Sequence, residues 1–160
     1  MHLSDLRQEY AREGLHEGDV DPDPIRQFRG WLAAAVAAEL REPNAMTLAT
    51  CPPDGWPSAR IVLLKDVSEA GFTFFTNYQS AKGRQLLAHP KAALVFHWKS
   101  LRRQVRVRGD VGPVTPDEAD AYFATRARSA QIGAWASEQS RELPDRLALE
   151  RRQYRDRGNA

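Results

Sequence analysis

Two cations flank an apolar run in the middle of the sequence. Arg60 and Lys65 enclose Ile61-Val62-Leu63-Leu64, a strand expected to be buried, where cations need partners. The guanidinium fork of arginine and the point charge of lysine both suit a phosphate, and the alternative is that both charges reach solvent from the strand ends. Because residues five apart point to opposite faces of a flat strand, one site for both requires a bulge, a twist or a second subunit.

A second candidate anion site lies where a strand runs into a helix, between Phe74 and Gly83. Free N–H groups and the helix dipole at such an N-terminus attract anions. Thr76 offers a hydroxyl there, and Lys82 offers a positive charge. Taken alone, this segment is more typical of an ordinary capped helix with a solvated lysine.

Other kinds of chemistry find little support in the sequence. The cations of the segment Leu101–Arg108 alternate with valines rather than with the aromatic residues that nucleic-acid binding favours. Four histidines and Cys51 have no spacing that suits zinc. The sequence also lacks a Gly-x-Ser-x-Gly elbow. An enzyme built on this chain is therefore expected to take its difficult chemistry from a cofactor.

The composition is that of one globular domain spanning residues 1–160, with residues 1–22 as a polar N-terminal segment. The net charge is only +2, which does not indicate nucleic-acid binding. No apolar run approaches the roughly 18–20 residues that span a bilayer, and the N-terminus lacks the pattern of a signal peptide. The single cysteine fits a reducing compartment. These features predict a soluble, cytoplasmic protein without a membrane or nucleic-acid partner.

The periodicity predicts an antiparallel barrel with peripheral helices. Asp23 and Pro24 form a helix start signal, and apolar residues then recur at helical spacing to near Glu42. The predicted strands are Ala45–Thr50, Ser58–Lys65, Gly71–Asn77, Ala92–Trp98 and Leu101–Val111, and further helices are predicted over Ser80–His89, from Thr115, and from Pro144 to about Arg157. Strands joined mostly by short turns favour a mainly β, antiparallel architecture over a parallel sheet.

The order of these motifs resembles the pyridoxamine 5′-phosphate oxidase family along nearly the whole chain. The motifs are Leu6-Arg7-Gln8-Glu9-Tyr10, Arg60–Lys65, Phe75-Thr76-Asn77, Ser80-Ala81-Lys82, Arg103-Gln104-Val105, Tyr122-Phe123, Gln131-Ile132-Gly133-Ala134-Trp135 and Gln139-Ser140. The resemblance implies a homodimeric split β-barrel with FMN at the subunit interface. It also implies oxidation of pyridoxamine or pyridoxine 5′-phosphate to pyridoxal 5′-phosphate, with O₂ as acceptor and hydrogen peroxide as product.

The resemblance also implies roles for individual residues. FMN would be bound by Arg60, Ile61, Val62, Leu63, Lys65, Phe75, Thr76, Lys82, Gln104, Gln139 and Ser140. The substrate would be bound by Arg7, Tyr10, Lys65, Tyr122 and Arg126, with Arg7 and Tyr10 acting as an N-terminal lid. No metal ligand is implied. The substrate would pass a hydride from C4′ to the flavin without an essential acid–base side chain among the histidines, because none of them lies in a motif matched to the family: His2, His16, His89 and His97.

The chain departs from the family pattern at three places. Ala81 stands where the family usually has an arginine on the FMN phosphate, and Ala130 stands where it usually has a serine on the substrate phosphate. The sequence stops at Ala160, whereas the family continues into a final strand pair with a tryptophan and an Arg-Leu-His-Asp-Arg signature. Three hypotheses follow: an active oxidase, an FMN-binding protein with another flavin-reductase role, and an inactive flavin-binding or B6-phosphate-binding remnant.

Overall fold

The computed structural model describes residues 14–158, and a short 3₁₀ turn at Glu17–Asp19 precedes the first long helix. Helix α1 spans Pro24–Ala37. Its N-terminus is the predicted one, since the Asp23 carboxylate accepts hydrogen bonds from the N–H groups of the first turn. The predicted end near Glu42 is wrong. Glu39 and Glu42 have φ values of 52° and 49°, outside the right-handed helical region, so the helix ends earlier.

Six strands form two antiparallel sheets in the described residues. They are β1 (Ala45–Thr50), β2 (Ser58–Leu63), β3 (Asp66–Ser68), β4 (Gly71–Thr73), β5 (Lys91–Trp98) and β6 (Arg103–Asp110). The larger sheet has the strand order β2-β1-β5-β6, and β3 pairs with β4 in a separate hairpin. Every pairing is antiparallel, as predicted.

Four of the predicted strands have different bounds in the structure. Strand β5 begins one residue earlier than predicted, at Lys91, and β6 spans Arg103–Asp110 rather than Leu101–Val111, because Lys99–Leu101 forms a 3₁₀ turn. Strand β2 ends at Leu63 rather than Lys65, because the chain leaves the larger sheet there. The Leu64 N–H donates to the Asn44 carbonyl at 2.9 Å, and the Lys65 N–H donates to the Thr73 carbonyl at 2.8 Å. The predicted strand Gly71–Asn77 continues only to Thr73, and the short strand β3 was not predicted.

Within residues 14–158, four more helices surround the strands: α2 (Ala81–Ala88), α3 (Pro116–Ala124), α4 (Arg128–Ala136) and α5 (Arg146–Gly158). Helix α2 is capped by Ser80, whose hydroxyl accepts from the Gly83 N–H at 3.2 Å. Helix α3 begins with a complete capping box between Thr115 and Glu118. These two helices and α5 confirm the prediction, whereas α4 was not predicted and has no side-chain cap that would have marked its start.

The core lies between the larger sheet, the β3–β4 hairpin and α1. Phe28 of α1 contacts both Phe72 and Phe96 edge to face, each with ring centroids 4.8 Å apart. The fully buried Leu48 marks the inner face of the sheet. Arg60 is the register partner of Leu48, so it lies on the same inner face. The sheet thus places one cation of the apolar run toward the interior.

No helix within residues 14–158 is both long enough and apolar enough to cross a membrane.

Candidate functional site

Arg60 is a half-buried cation surrounded by neutral hydrogen-bond acceptors. Its Nη1 donates to Thr50 Oγ1 at 2.7 Å and to the Leu48 carbonyl at 3.1 Å. Its Nη2 donates to Gln85 Oε1 at 3.2 Å and also to Ser58 Oγ. Burial lowers the pKa of Arg60 below its ordinary value. These partners fix the guanidinium in place and leave its positive charge unneutralised, which favours an anionic ligand.

Lys82, in the first turn of α2, adds a second positive charge near Arg60. Burial, and then the positive charge of Arg60, lower the pKa of Lys82. Its Nζ donates to the neutral Gln139 Oε1 at 2.8 Å. Two cations that repel each other while bonded to neutral groups favour a ligand with more than one negative charge. We refer to Arg60 and Lys82 as the cation pair.

Thr76 carries an unsatisfied polar atom. Its Oγ1 is buried and has no hydrogen-bond partner among the described residues. A buried hydroxyl without a partner costs free energy, and such groups in native proteins often mark a ligand site. Thr76 lies in the segment between β4 and α2, the same connection that leads to Lys82.

The close packing of α2 against this segment depends on Gly83. A Cβ atom at this position would lie 2.4 Å from the Tyr78 carbonyl oxygen and 2.6 Å from the Asn77 carbonyl oxygen. Both distances are far below van der Waals contact, so a side chain here would push the helix away from the loop. The glycine therefore fixes where the N-terminus of α2, and with it Lys82, stands.

A separate cluster joins a cation to two stacked aromatic rings. The rings of Phe75 and Tyr122 are parallel within 4°, with centroids 3.8 Å apart. Lys65 Nζ lies 5.6 Å from the centre of the Tyr122 ring, within range of a cation–π interaction. The Arg126 guanidinium lies 5.7 Å from the centre of the Phe123 ring, next to Tyr122 in the sequence. We refer to Lys65, Phe75 and Tyr122 as the aromatic cluster.

The structure places the two cations that the sequence had suggested for one phosphate, Arg60 and Lys65, in different clusters. Arg60 contacts the inner face of the sheet, whereas Lys65 follows the end of β2 and faces Tyr122. Gln139 joins the cation pair through Lys82, and the next residue, Ser140, has a φ of 65° in the left-handed region. A single phosphate held by both Arg60 and Lys65 stays a prediction.

Several other predicted residues lie on the sheet. Ile61, Val62 and Leu63 belong to β2, an edge strand whose free backbone groups can pair with a ligand. Gln104 is exposed on β6, at the opposite edge of the sheet, and is the register partner of His97. One chain therefore does not bring Gln104 next to Arg60.

Two of the predicted substrate-binding residues, Arg7 and Tyr10, lie outside the described residues.

Sequence reasoning missed three polar residues around Arg60. Ser58 alternates with Arg60 along β2, so a strand pattern places both on one face, and this signal was available. Thr50 is the register partner of Ser58, but the pairing of β1 and β2 is needed to see it. Gln85 reaches the sheet from α2, a tertiary contact that no local pattern shows.

No group of three or more His, Cys, Asp or Glu side chains within the described part of the chain is arranged to hold a metal ion.

Comparison with solved structures identifies the class of fold. The chain superposes on PhzG from Burkholderia lata 383, solved in complex with tetrahydrophenazine-1-carboxylic acid, with a TM-score of 0.86 and 31% identity over 92% of this chain and 74% of that one. A pyridoxamine 5′-phosphate oxidase-related, FMN-binding protein from Nostoc punctiforme gives a TM-score of 0.62 and 22% identity over 77% of this chain and 70% of that one. The fold is the FMN-binding split barrel that the sequence predicted.

Sequence comparisons then identify the family. The family model described as pyridoxamine 5′-phosphate oxidase matches residues 32–153. The pyridoxine/pyridoxamine 5′-phosphate oxidase of Cupriavidus necator is 60% identical over 151 residues, which are 94% of this chain and 71% of that protein. The Azorhizobium caulinodans protein of the same name is 67% identical over 128 residues, 80% of this chain and 60% of that protein. The chain belongs to the pyridoxamine 5′-phosphate oxidase family, so it is an FMN-dependent oxidoreductase, as predicted.

The residues present fit FMN. The cation pair matches the double negative charge of a phosphate monoester. The Thr76 hydroxyl, which has no partner among residues 14–158, is a donor or acceptor close by in the sequence. The edge strand β2 offers backbone groups to a flat heterocycle. Which individual side chains contact FMN stays a prediction.

Proposed function

We propose that this chain oxidises pyridoxamine or pyridoxine 5′-phosphate to pyridoxal 5′-phosphate, with O₂ as the electron acceptor. The observation that carries the proposal is the presence of two separate cationic clusters, the cation pair and the aromatic cluster with Lys65. In this reaction the cofactor and the substrate each carry a 5′-phosphate. Two anion sites in one fold fit that requirement, whereas a flavin carrier needs only one.

In this proposal the cation pair holds the phosphate of FMN. Arg60 meets it with a guanidinium already fixed by four acceptors, and Lys82 meets it from the first turn of α2. The Thr76 hydroxyl, which lacks a partner within the described part of the chain, forms a hydrogen bond to the same cofactor. The remainder of FMN is lined by Ile61 to Leu63, Phe75, Gln139 and Ser140. When bound, FMN supplies the acceptor for the hydride that leaves C4′ of the substrate.

Lys65, Tyr122 and Arg126 hold the substrate phosphate. The stack of Tyr122 on Phe75 fixes the tyrosine ring, so that its hydroxyl has a defined direction. A clamp of this kind places C4′ and excludes other orientations, so the rate depends mainly on positioning. We propose that Arg7 and Tyr10, which lie outside the described residues, also bind the substrate, and no histidine is assigned a proton transfer. Of the three described histidines, His97 is exposed on β5, His89 caps the end of α2 and His16 precedes the 3₁₀ turn.

The overall reaction balances without an acid–base side chain of the protein. The substrate loses two electrons and two protons at C4′ and its attached oxygen or nitrogen, and O₂ takes up both to give hydrogen peroxide. With pyridoxamine 5′-phosphate, addition of water and loss of ammonia complete the conversion to the aldehyde.

The active assembly is proposed to be a homodimer with Gln104 supplied by the second copy. Gln104 lies on the opposite edge of the sheet from Arg60, which supports a site shared between two chains. The outer face of the sheet carries a row made of Thr47 and its register partners Ile61 and Val95, with Ile61 65% exposed. A second copy would cover this row. Light scattering at micromolar concentration tests the dimer, and a monomer would contradict it.

The activity is tested with protein saturated with FMN. We expect the wild type and His97→Ala to produce hydrogen peroxide and pyridoxal 5′-phosphate from both substrates. Arg126→Ala should lower kcat/KM by roughly ten- to a hundredfold, the worth of one charge-assisted bond of about 1.5–3 kcal/mol. Loss of activity in His97→Ala with the fold intact would overturn the assigned roles.

A wild type that binds FMN and makes no product would point to another flavin-dependent role. Oxidation of a tetrahydrophenazine carboxylic acid is one role to assay, since the Burkholderia lata structure holds such a ligand. Of the three hypotheses, absence of FMN binding would leave only an inactive remnant that binds B6 phosphates.

A further inference from the structure

Gln85 connects α2 to two strands of the larger sheet through one oxygen atom. Its Oε1 accepts hydrogen bonds from Thr50 Oγ1 at 2.6 Å, from Arg60 Nη2 at 3.2 Å and from Ser58 Oγ at 3.4 Å. The sequence motifs do not include this residue. It lies one turn after Lys82, on the helix that carries the second member of the cation pair.

The orientation of the Gln85 amide follows from its partners. Arginine has only donors, so the atom facing Arg60 must be the amide oxygen. Thr50 and Ser58 each accept a bond from Arg60, which leaves each hydroxyl proton to donate to the same oxygen. All three donors therefore agree on one orientation of the amide.

We propose that Gln85 is a positioning residue, which fixes the Arg60 guanidinium with a neutral acceptor and thereby makes the site select phosphorylated over unphosphorylated flavin. The inference rests on the proposed function, in which Arg60 meets the FMN phosphate. It adds a residue and a selectivity that the function itself does not require.

The Gln85 acceptor is neutral, so it fixes Arg60 without offsetting the positive charge of the guanidinium. A carboxylate at the same position would form an ion pair with Arg60 and offset the charge that a phosphate needs. An amide oxygen accepts the same hydrogen bond and leaves the charge in place. Burial, and then the positive charge of Arg60, lower the pKa of Lys82, in keeping with a charge on Arg60 that its neutral partners do not offset.

Two substitutions of Gln85 distinguish the effect of the position of Arg60 from the effect of its charge. Leucine in place of Gln85 would remove the bond to Arg60 and leave two hydroxyl donors without their acceptor, so the guanidinium would lose its fixed place. Glutamate would keep the acceptor, the size and the position, and change only the charge. A purely structural role of Gln85 predicts that glutamate is tolerated.

The test measures Kd for FMN and for riboflavin by quenching of flavin fluorescence, with thermal unfolding of each variant alongside. Gln85→Glu should unfold at or above the wild-type temperature, bind FMN at least about tenfold more weakly, and bind riboflavin as the wild type does. Gln85→Leu should also lower the FMN-to-riboflavin preference. Gln27→Glu is the matched control, because Gln27 Oε1 likewise accepts a bond, from the Asp21 N–H at 2.7 Å, on a different helix.

Arg60→Ala separates failure of this inference from failure of the proposed function. If Arg60→Ala lowers the preference for FMN but Gln85→Glu keeps it, the role of Gln85 is overturned and the phosphate site stands. If Arg60→Ala itself keeps the preference, the FMN phosphate lies elsewhere, so the role of Gln85 and the assignment of the cation pair to that phosphate both fall, while the activity assay still decides the oxidase function. Equal weakening of FMN and riboflavin in Gln85→Glu would also overturn the positioning role.

Discussion

Replacing Thr76 with valine should move stability and cofactor affinity in opposite directions. The Thr76 hydroxyl is buried without a hydrogen-bond partner among the described residues, so the folded protein bears an uncompensated desolvation cost. Valine has nearly the same shape and no polar atom. Thr76→Val should therefore raise the free energy of unfolding of the FMN-free protein by up to about 1 kcal/mol. For a domain of this size, that corresponds to an increase of roughly 2–4 °C in Tm.

The same substitution should weaken FMN binding. If the hydroxyl bonds to FMN, its loss removes one neutral hydrogen bond of about 0.5–1.5 kcal/mol. This corresponds to a roughly two- to twelvefold higher Kd. Differential scanning calorimetry of the FMN-free protein gives the stability, and titration calorimetry gives the affinity.

Thr115→Val is the matched control for this experiment. The Thr115 side chain is fully engaged in the capping box of α3, where its Oγ1 lies 2.7 Å from Glu118 Oε2. Its loss should lower stability by about 1 kcal/mol and leave FMN affinity unchanged. A Thr76→Val protein that is less stable than the wild type and binds FMN equally well would show that the hydroxyl serves the fold, which would refute the reasoning.

Three further perturbations test the site around α2. Because burial and Arg60 lower the pKa of Lys82 and a bound phosphate would raise it, FMN binding should take up a proton near that lowered pKa. The affinity for FMN should then fall as the pH rises through the pKa of Lys82. Titration calorimetry in buffers of different ionisation enthalpy measures the proton uptake. Gly83→Ala should destabilise the fold by about 1–3 kcal/mol through overpacking, whereas Gly30→Ala, where a Cβ atom meets nothing within 4 Å, should not. Ala81→Arg should tighten FMN binding by roughly ten- to a hundredfold if the phosphate lies there, and an unchanged Kd would place it elsewhere.

Elements with local signals were predicted from the sequence, and those set by tertiary contacts were not. Strand β1 and the start of α1 have their predicted bounds, since alternation and the Asp23 cap are local features. Strand β3 contains only three residues, Asp66–Ser68, and pairs through the hairpin rather than through an apolar pattern of its own. The early end of α1 follows from positive φ values at Glu39 and Glu42, residues with no intrinsic preference for them.

In the candidate site, too, residues with a local sequence signal could be predicted, and residues defined by tertiary contacts could not. Arg60 stood out because a cation beside an apolar strand is unusual. Thr76 and Lys82 lie in a segment that alone is typical of an ordinary capped helix, so the family resemblance was needed to select them. Gln85 did not stand out, because its importance comes from contacts with strands far away in the sequence. The sequence spacing also could not show that Arg60 and Lys65 have different contacts, because the difference arises where the chain leaves β2 at Leu63.

Because position 81 is alanine, only the two cations of the cation pair are proposed to face the FMN phosphate, whereas an arginine at this position would add a third. With Arg60 and Lys82 as the proposed phosphate ligands, two positive charges face the two negative charges of a phosphate near neutral pH. Deprotonation of Lys82 then leaves half of the phosphate charge uncompensated. An arginine at position 81 would remain charged at every pH at which the protein folds. Ala81→Arg should therefore flatten the pH dependence of FMN affinity as well as raise the affinity, because Lys82 would no longer be the only cation facing the phosphate beside Arg60.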